Sequence, residues 1–136
     1  MSKPIRCILL VDDDPDDNFL HRLVIEESGL CEHVRETTSG AEALRYLTNP
    51  DASARPFPDV VLLDVNLPGM SGFDFLEALR RWVPNLPGSP VVMLFTASVN
   101  PAEQAQAATL AEVDGYHVKP LTANLLHDLV NRRFRD

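Results

Sequence analysis

Four aliphatic residues, Val60-Val61-Leu62-Leu63, run straight into one carboxylate, Asp64, and the turn-rich segment Val65-Asn66-Leu67-Pro68-Gly69-Met70-Ser71-Gly72 follows. A short continuous apolar run bounded by turn signals reads as a strand buried on both faces. Strands of that kind belong to sheets sandwiched between helices, where ligands sit beyond the carboxyl ends of the strands. Asp64 falls at such an end. Taken alone, an Asp after a strand is more often a turn former than a working group, so the rest of the chain has to decide.

The same rhythm repeats along the sequence. Cys7-Ile8-Leu9-Leu10-Val11 is a first buried strand, followed at once by Asp12, Asp13, Asp14, Asp16 and Asp17. Asp14 is placed to cap a helix, Pro15 suits its first turn, and Asp16 and Asp17 favour the positive end of its dipole as solvated charges. Phe19, Leu20, Leu23 and Val24 give that helix an apolar stripe, and Gly29 marks its end. His33–Thr38 reads as a second strand near an edge. Ser39-Gly40 opens a second helix with Ala41, Ala43, Leu44 and Leu47 on one face. Asn49–Pro58 is a loop by composition.

After Asp64, Ser71 caps a third helix with Phe73, Leu76, Leu79 and Trp82 directed to the core. A Pro-rich loop leads to the strand Val91–Phe95, which ends at Thr96. Helix four spans about Ala102 to Glu112, and its thin apolar stripe predicts light anchoring. Asp114-Gly115 is a turn, Tyr116-His117-Val118 a short fifth strand, and Lys119-Pro120 its exit. Helix five runs from about Ala123 to Phe134 with Leu125, Leu126, Leu129 and Val130 inward. Five β-α units in succession imply a parallel sheet with helices on both faces and right-handed crossovers.

At 136 residues the expectation is one domain, residues 1–136, with no output domain. No apolar run approaches the roughly 18 residues of a membrane span, and the N-terminus makes a poor signal peptide, so the cytoplasm is the expected compartment. A formal net charge of −8 argues against direct nucleic-acid binding. Cys7 and Cys31 lack metal-ligand spacing and read as reduced core residues.

The topology brings Asp12, Asp13, Asp64, Thr96 and Lys119 to one rim of the sheet. Three carboxylates that close repel one another unless a cation intervenes. Hard divalent cations, Mg²⁺ above all, bind such oxygen donors through one or two carboxylates plus waters. A cation-bound carboxylate beside a lysine and a hydroxyl is prepared for a phosphoryl group. Asp64 would be the nucleophile, and Asp13, supported by Asp12, would hold the metal.

Leu10-Val11-Asp12-Asp13-Asp14, Leu62 through Gly72, Phe95-Thr96-Ala97 and Val118-Lys119-Pro120, in that order and with that spacing, resemble the receiver domains of response regulators, CheY-like, over nearly the full chain. The resemblance implies a flavodoxin-like doubly wound (βα)5 fold with a five-stranded parallel sheet in the order 2-1-3-4-5. It implies a sensor histidine kinase or histidine phosphotransfer protein that donates phosphate to Asp64. Mg²⁺ would be held by Asp13, Asp64 and the main-chain carbonyl of Asn66, with Asp12 acting through water. Thr96 would move to the phosphoryl oxygen and Tyr116 would turn inward behind it. A surface built from helix four, strand five and helix five would then meet a downstream protein or, as a homodimer, a second copy. Tyr116 is also readable as an ordinary half-buried strand tyrosine. The acidic opening also resembles the small regulators found beside bacterial phytochromes. Beyond self-phosphorylation and autodephosphorylation, the resemblance implies no enzyme.

Three other readings compete. A haloacid dehalogenase-type phosphatase would carry a second Asp where Asn66 stands. A flavodoxin would carry a Ser/Thr/Gly-rich phosphate loop after strand one, where five aspartates would repel phosphate. A phosphate-independent docking module would not need the intact set of polar groups.

Overall fold

The computed structural model describes residues 3–49 and 56–134. Most of the Asn49–Pro58 loop therefore lies outside the described residues, as does Arg135 at the basic end of the last helix. The strands are β1 (Ile5–Val11), β2 (Cys31–Thr37), β3 (Val60–Asp64), β4 (Val91–Thr96) and β5 (Val113–Val118). The helices are α1 (Pro15–Ser28), α2 (Gly40–Thr48), α3 (Gly72–Trp82), α4 (Pro101–Ala108) and α5 (Ala123–Arg133), with a 3-10 turn at Val83–Asn85. All pairings are parallel and the order is β2-β1-β3-β4-β5, as the β-α rhythm implied.

Alternation along the central strands divides the core into two layers. Ile8, Leu10, Leu62, Met93 and Phe95 pack against Ile25 of α1 and Leu126, Leu129 and Val130 of α5. Leu9, Val11, Val61, Leu63, Val92 and Leu94 pack against Ala43 and Leu47 of α2, Phe75, Leu76 and Leu79 of α3, and Ala107 of α4. Both faces of β1 and β3 are covered, which is why their sequences are continuous apolar runs rather than alternating ones. β2 and β5 are the edges, and β5 is only half-buried.

Local chemistry sets the helix ends. Asp14 caps α1 by accepting from the Asp16 N–H, Pro15 occupies the first turn, and Gly29 ends the helix at φ 69°. Ser71 and Asp74 form a reciprocal capping box at α3. Asn100 caps α4 by accepting from the Ala102 and Glu103 N–H groups.

Five sequence expectations need correction. The stripe of α1 faces out: Phe19, Leu20 and Leu23 are 55%, 49% and 37% exposed. Its core face is Asn18, His21 and Ile25, with Val24 partly buried. The helix carries two faces at helical spacing, and the wetter one holds more carbon, so hydrophobicity alone chose wrongly. On α3, Phe75 is buried while Trp82 is half exposed, and on α2 Ala41 is exposed. Helix α4 stops at Ala108 instead of Glu112. Asp114-Gly115 is no turn but part of β5, at a register shift opposite Val92–Leu94. Gly115 has φ +103°, and a Cβ there would lie 2.3 Å from the His117 ring, so only glycine fits that bulge. The thin stripe of α4 is as expected: Ala107 is its one buried residue.

Behind β4, the Phe95 ring lies between two imidazoles, His21 at 5.4 Å and His117 at 5.5 Å between centroids. Burial lowers the pKa of both histidines below the ordinary 6.5. Asp17 and Asp64 oppose this for His21 while Lys119 adds to it; Asp114 opposes it for His117 while Arg132 adds to it.

Two expectations follow. Ile25→Ala should cost about 2–5 kcal/mol in urea unfolding, whereas Phe19→Ser and Leu23→Ser should each change stability by no more than about 0.5 kcal/mol; equal costs would contradict the assigned face of α1. The unfolded chain binds histidine protons more readily than the native one, so stability falls as pH drops below the ordinary 6.5. A His21→Leu/His117→Leu variant should lose most of the difference in urea midpoint between about pH 7.5 and 5.5.

Candidate functional site

The strand order reverses between β1 and β3, and the crevice beyond such a reversal is where open parallel sheets bind ligands. Asp12 follows β1 and Asp64 ends β3, so both stand at that crevice. Asp12 and Asp64 are 3% and 6% exposed, and Asp13 beside them is exposed. One carboxylate oxygen of each of Asp12, Asp13 and Asp64 lies within 4.8 Å of the others. These are hard donors at close quarters, the kind a divalent cation takes.

Each buried carboxylate is held at both oxygens. Asp12 Oδ1 accepts from the Asp14 N–H at 2.9 Å and Oδ2 lies 2.7 Å from Lys119 Nζ. Asp64 Oδ1 accepts from the Asn66 N–H at 2.9 Å and Oδ2 accepts from Lys119 Nζ at 2.9 Å. The ammonium also donates to Asp17 Oδ2 at 2.7 Å. Burial raises the Asp12 pKa, with Lys119 and the Asp14 N–H working against it. Burial would lower that of Lys119, but its bonds to Asp12, Asp17 and Asp64 outweigh this and raise it, so the ammonium is firmly charged.

The scaffold around these groups is tightly specified. The Asn18 side chain donates to the carbonyls of Asp12 and Thr37, at 3.0 and 3.2 Å, and so ties α1 to the ends of β1 and β2. The Lys119 N–H donates to the Thr96 carbonyl at 2.8 Å, which fixes where the lysine leaves the sheet, and the Lys119–Pro120 peptide is cis. Gly72 allows α3 to start against β3: a Cβ there would lie 2.8 Å from the Asp64 carbonyl oxygen.

Asp12, Asp13, Asp64 and Lys119 thus converge as their positions in the sequence suggested. Asn66 is present through its N–H on Asp64, with its residue exposed. Thr96 is buried at the rim, but its hydroxyl donates to the Ser98 carbonyl at 2.9 Å. Tyr116 is turned toward α4: its hydroxyl accepts from the Asn100 N–H at 3.0 Å and donates to Glu103 at 2.8 Å. Its pKa is raised, by burial and by Glu103, against the Asn100 N–H. Asp17 corrects the sequence reading, because it is a direct partner of Lys119 and not a solvated dipole charge. Its place three residues beyond the cap, on the first turn facing the rim, was the available signal. Cys7 and Cys31 are free and buried, and burial pushes the Cys31 thiol up to about 11.

The model of the response regulator receiver domain matches residues 8–131. The chain belongs to the response regulator receiver domain family. It is 34% identical to the chemotaxis protein CheY-3 of Vibrio cholerae serotype O1 (strain ATCC 39541 / Classical Ogawa 395 / O395), over 93% of this chain and 90% of that protein. Among solved structures it is similar to a two-component response regulator from Cytophaga hutchinsonii, with 34% identity, TM-score 0.87, and coverage of 96% and 97% of the two chains. It is also similar to the bacteriophytochrome response regulator AtBRR, with 30% identity, TM-score 0.72, and coverage of 93% and 91%. The chain spans 12%, 29% and 44% of the length of the first three curated relatives it matches. The matched family is that of the receiver domains, not that of the haloacid dehalogenase-type phosphatases or the flavodoxins. Receiver domains are signalling modules of two-component systems that interact with histidine kinases and bind Mg²⁺ at an acidic pocket. Among the described residues no helix is long and apolar enough to cross a membrane.

The close approach at Gly72 makes a direct prediction. Gly72→Ala should destabilise the fold by about 1–3 kcal/mol in urea unfolding, the usual cost of forcing a methyl into filled space. A variant as stable as the parent would show that α3 does not constrain the Asp64 backbone.

Proposed function

We propose that Asp64 accepts a phosphoryl group from a histidine kinase or a histidine phosphotransfer protein, and that Lys119 and Thr96 stabilise it there. The observation that carries this reading is the Lys119 ammonium 2.9 Å from a buried Asp64 carboxylate, inside a cluster of hard oxygen donors. An Asp64 oxygen attacks phosphorus, an O–P bond forms, and the N–P bond of the donor phosphohistidine breaks, leaving a neutral histidine once a proton is taken up. The Lys119 charge is available to the phosphoryl oxygens as they come in. Thr96 would release Ser98 and donate its hydroxyl to one of them.

Mg²⁺ fits the donor set, with Asp13, Asp64 and the main-chain carbonyl of Asn66 as its protein ligands and Asp12 acting through water. When bound it would offset the crowded negative charge and the charge of the phosphoryl group. Asp12 and Asp64 would remain oriented by the Asp14 and Asn66 N–H groups. The exposed Phe19, Leu20 and Leu23 of α1 stand on the helix whose first turn carries Asp17, and supply an apolar face for the donor protein.

The output surface in this reading is α4, β5 and α5. Helix α4 is held to the core by Ala107 and at its N-terminus by Tyr116, through Asn100 and Glu103. An inward turn of Tyr116 behind Thr96 would release both bonds, and a downstream protein, or a second copy of the chain, would read the change.

The test is intact mass after incubation with acetyl phosphate and Mg²⁺. The wild-type chain should gain about 80 Da, one phosphoryl group on a carboxylate, and should lose the gain with a chelator or in Asp64→Asn. A gain retained by Asp64→Asn would refute the assignment of Asp64. No gain in the presence of bound Mg²⁺ would favour the phosphate-independent docking module.

A further inference from the structure

We propose that Asp17 is a positioning residue that draws the Lys119 ammonium away from Asp12 and Asp64 when a divalent cation binds them. The inference rests on the cation assignment made above, not on the phosphoacceptor role of Asp64.

The geometry poses a conflict of charge. Lys119 Nζ is paired with three carboxylates, at 2.7 Å for Asp12, 2.7 Å for Asp17 and 2.9 Å for Asp64. Two of those three partners, Asp12 and Asp64, belong to the cluster suited to the cation, and Asp17 does not. A cation entering that cluster therefore takes up the oxygens the ammonium is using. Two positive charges a few ångströms apart repel strongly where water is scarce, and the Lys119 side chain is only 15% exposed. Either the cation binds weakly or the ammonium shifts its weight to a carboxylate outside the cluster.

Asp17 is the carboxylate that lets it shift. It projects from the first turn of α1, a turn fixed by the Asp14 cap and by Pro15, and it is 30% exposed, so its charge is only partly solvated. Through Asp17 the lysine keeps a paired charge at the rim while the oxygens of Asp12 and Asp64 become free to serve the cation. Without it, the remaining partners of the ammonium are the cation's own ligands. The shift moves no proton, because the ammonium stays charged in both arrangements.

Mg²⁺ titration by calorimetry on the full chain, in a two-by-two set of Asp17→Asn and Lys119→Met, tests this without any phosphorylation. Asp17→Asn alone should weaken Mg²⁺ binding about tenfold, at the lower end of what loss of an outer-shell partner costs. With Lys119→Met already present, the same change should cost about threefold or less, the size of a screened charge. Asp17→Glu should restore most of the affinity, which a loss of packing would not allow. Equal or larger weakening by Asp17→Asn in the Lys119→Met background would overturn the proposal, since Asp17 would then act as a bare negative charge. So would an Asp17→Asn variant that binds Mg²⁺ as well as the parent. Urea midpoints of all four proteins would identify any that fail to fold, and Asp17→Glu keeps the comparison decisive in that case. A wild-type chain that binds no Mg²⁺ would overturn this proposal together with the cation assignment. A chain that binds Mg²⁺ but is not phosphorylated would overturn only the role given to Asp64.

Discussion

Two carboxylates, Asp12 and Asp64, are buried within reach of one ammonium, and the arrangement of the sheet ends follows from keeping them there. Buried charge is tolerated only when paired and hydrogen-bonded. Every oxygen of the two carboxylates has a donor: the Asp14 and Asn66 N–H groups on one side, Lys119 on the other. Those donors come from the α1 entry, the β3–α3 loop and the exit of β5, so the pairing draws three separate crossovers to one point. Asn18 completes the frame by joining the carbonyls of β1 and β2. Loosening one of these segments would leave a buried charge short of a partner, and the site and the fold are in that sense one problem.

How much of this was legible depended on the kind of signal. Buried central strands announce themselves, because a strand covered on both faces has no room for a polar residue until it ends. That property located Asp12, Asp64 and Thr96 at strand ends, the β-α rhythm placed Lys119 at the end of the edge strand β5, and their convergence became a consequence of topology. The helices were harder. On α1 the apolar count favoured Phe19, Leu20 and Leu23, yet the core took Asn18, His21 and Ile25. Asn18 is inside because it bonds two carbonyls, and His21 because it lies against Phe95. Neither reason is visible in a hydrophobic pattern. Asp114-Gly115 misled for a related reason: Gly signals positive φ, but a turn and a strand bulge both need it.

Asp17 shows a third kind of gap. Five aspartates in six positions are chemically alike on paper, and the backbone alone sorts them. Asp12 is buried, Asp13 is exposed within the hard-donor cluster, Asp14 caps the helix, and Asp17 reaches Lys119 across 102 positions of sequence. A run of like charge that reads as a solvated face is, in the folded chain, a set of residues with different tasks.

The same logic bears on how a local charge change could reach α4. That helix buries one small side chain, so little apolar surface resists its movement. What fixes its N-terminus is polar: Asn100 caps it, and the Tyr116 hydroxyl joins Asn100 to Glu103. Polar ties of this sort contribute about 1 kcal/mol each on balance, within reach of the energies exchanged when a hydroxyl or ammonium changes partner at a charged site. Thr96 ends β4 only a few residues before Asn100, and in the unmodified chain its hydroxyl is bonded to Ser98 in that same connection. A phosphoryl group that claimed the hydroxyl would release a bond at one end of the β4–α4 loop, while Tyr116 governs the other. The segment has weak ties at both ends and a shallow seat between them, which is what a two-state element driven from a neighbouring charge requires.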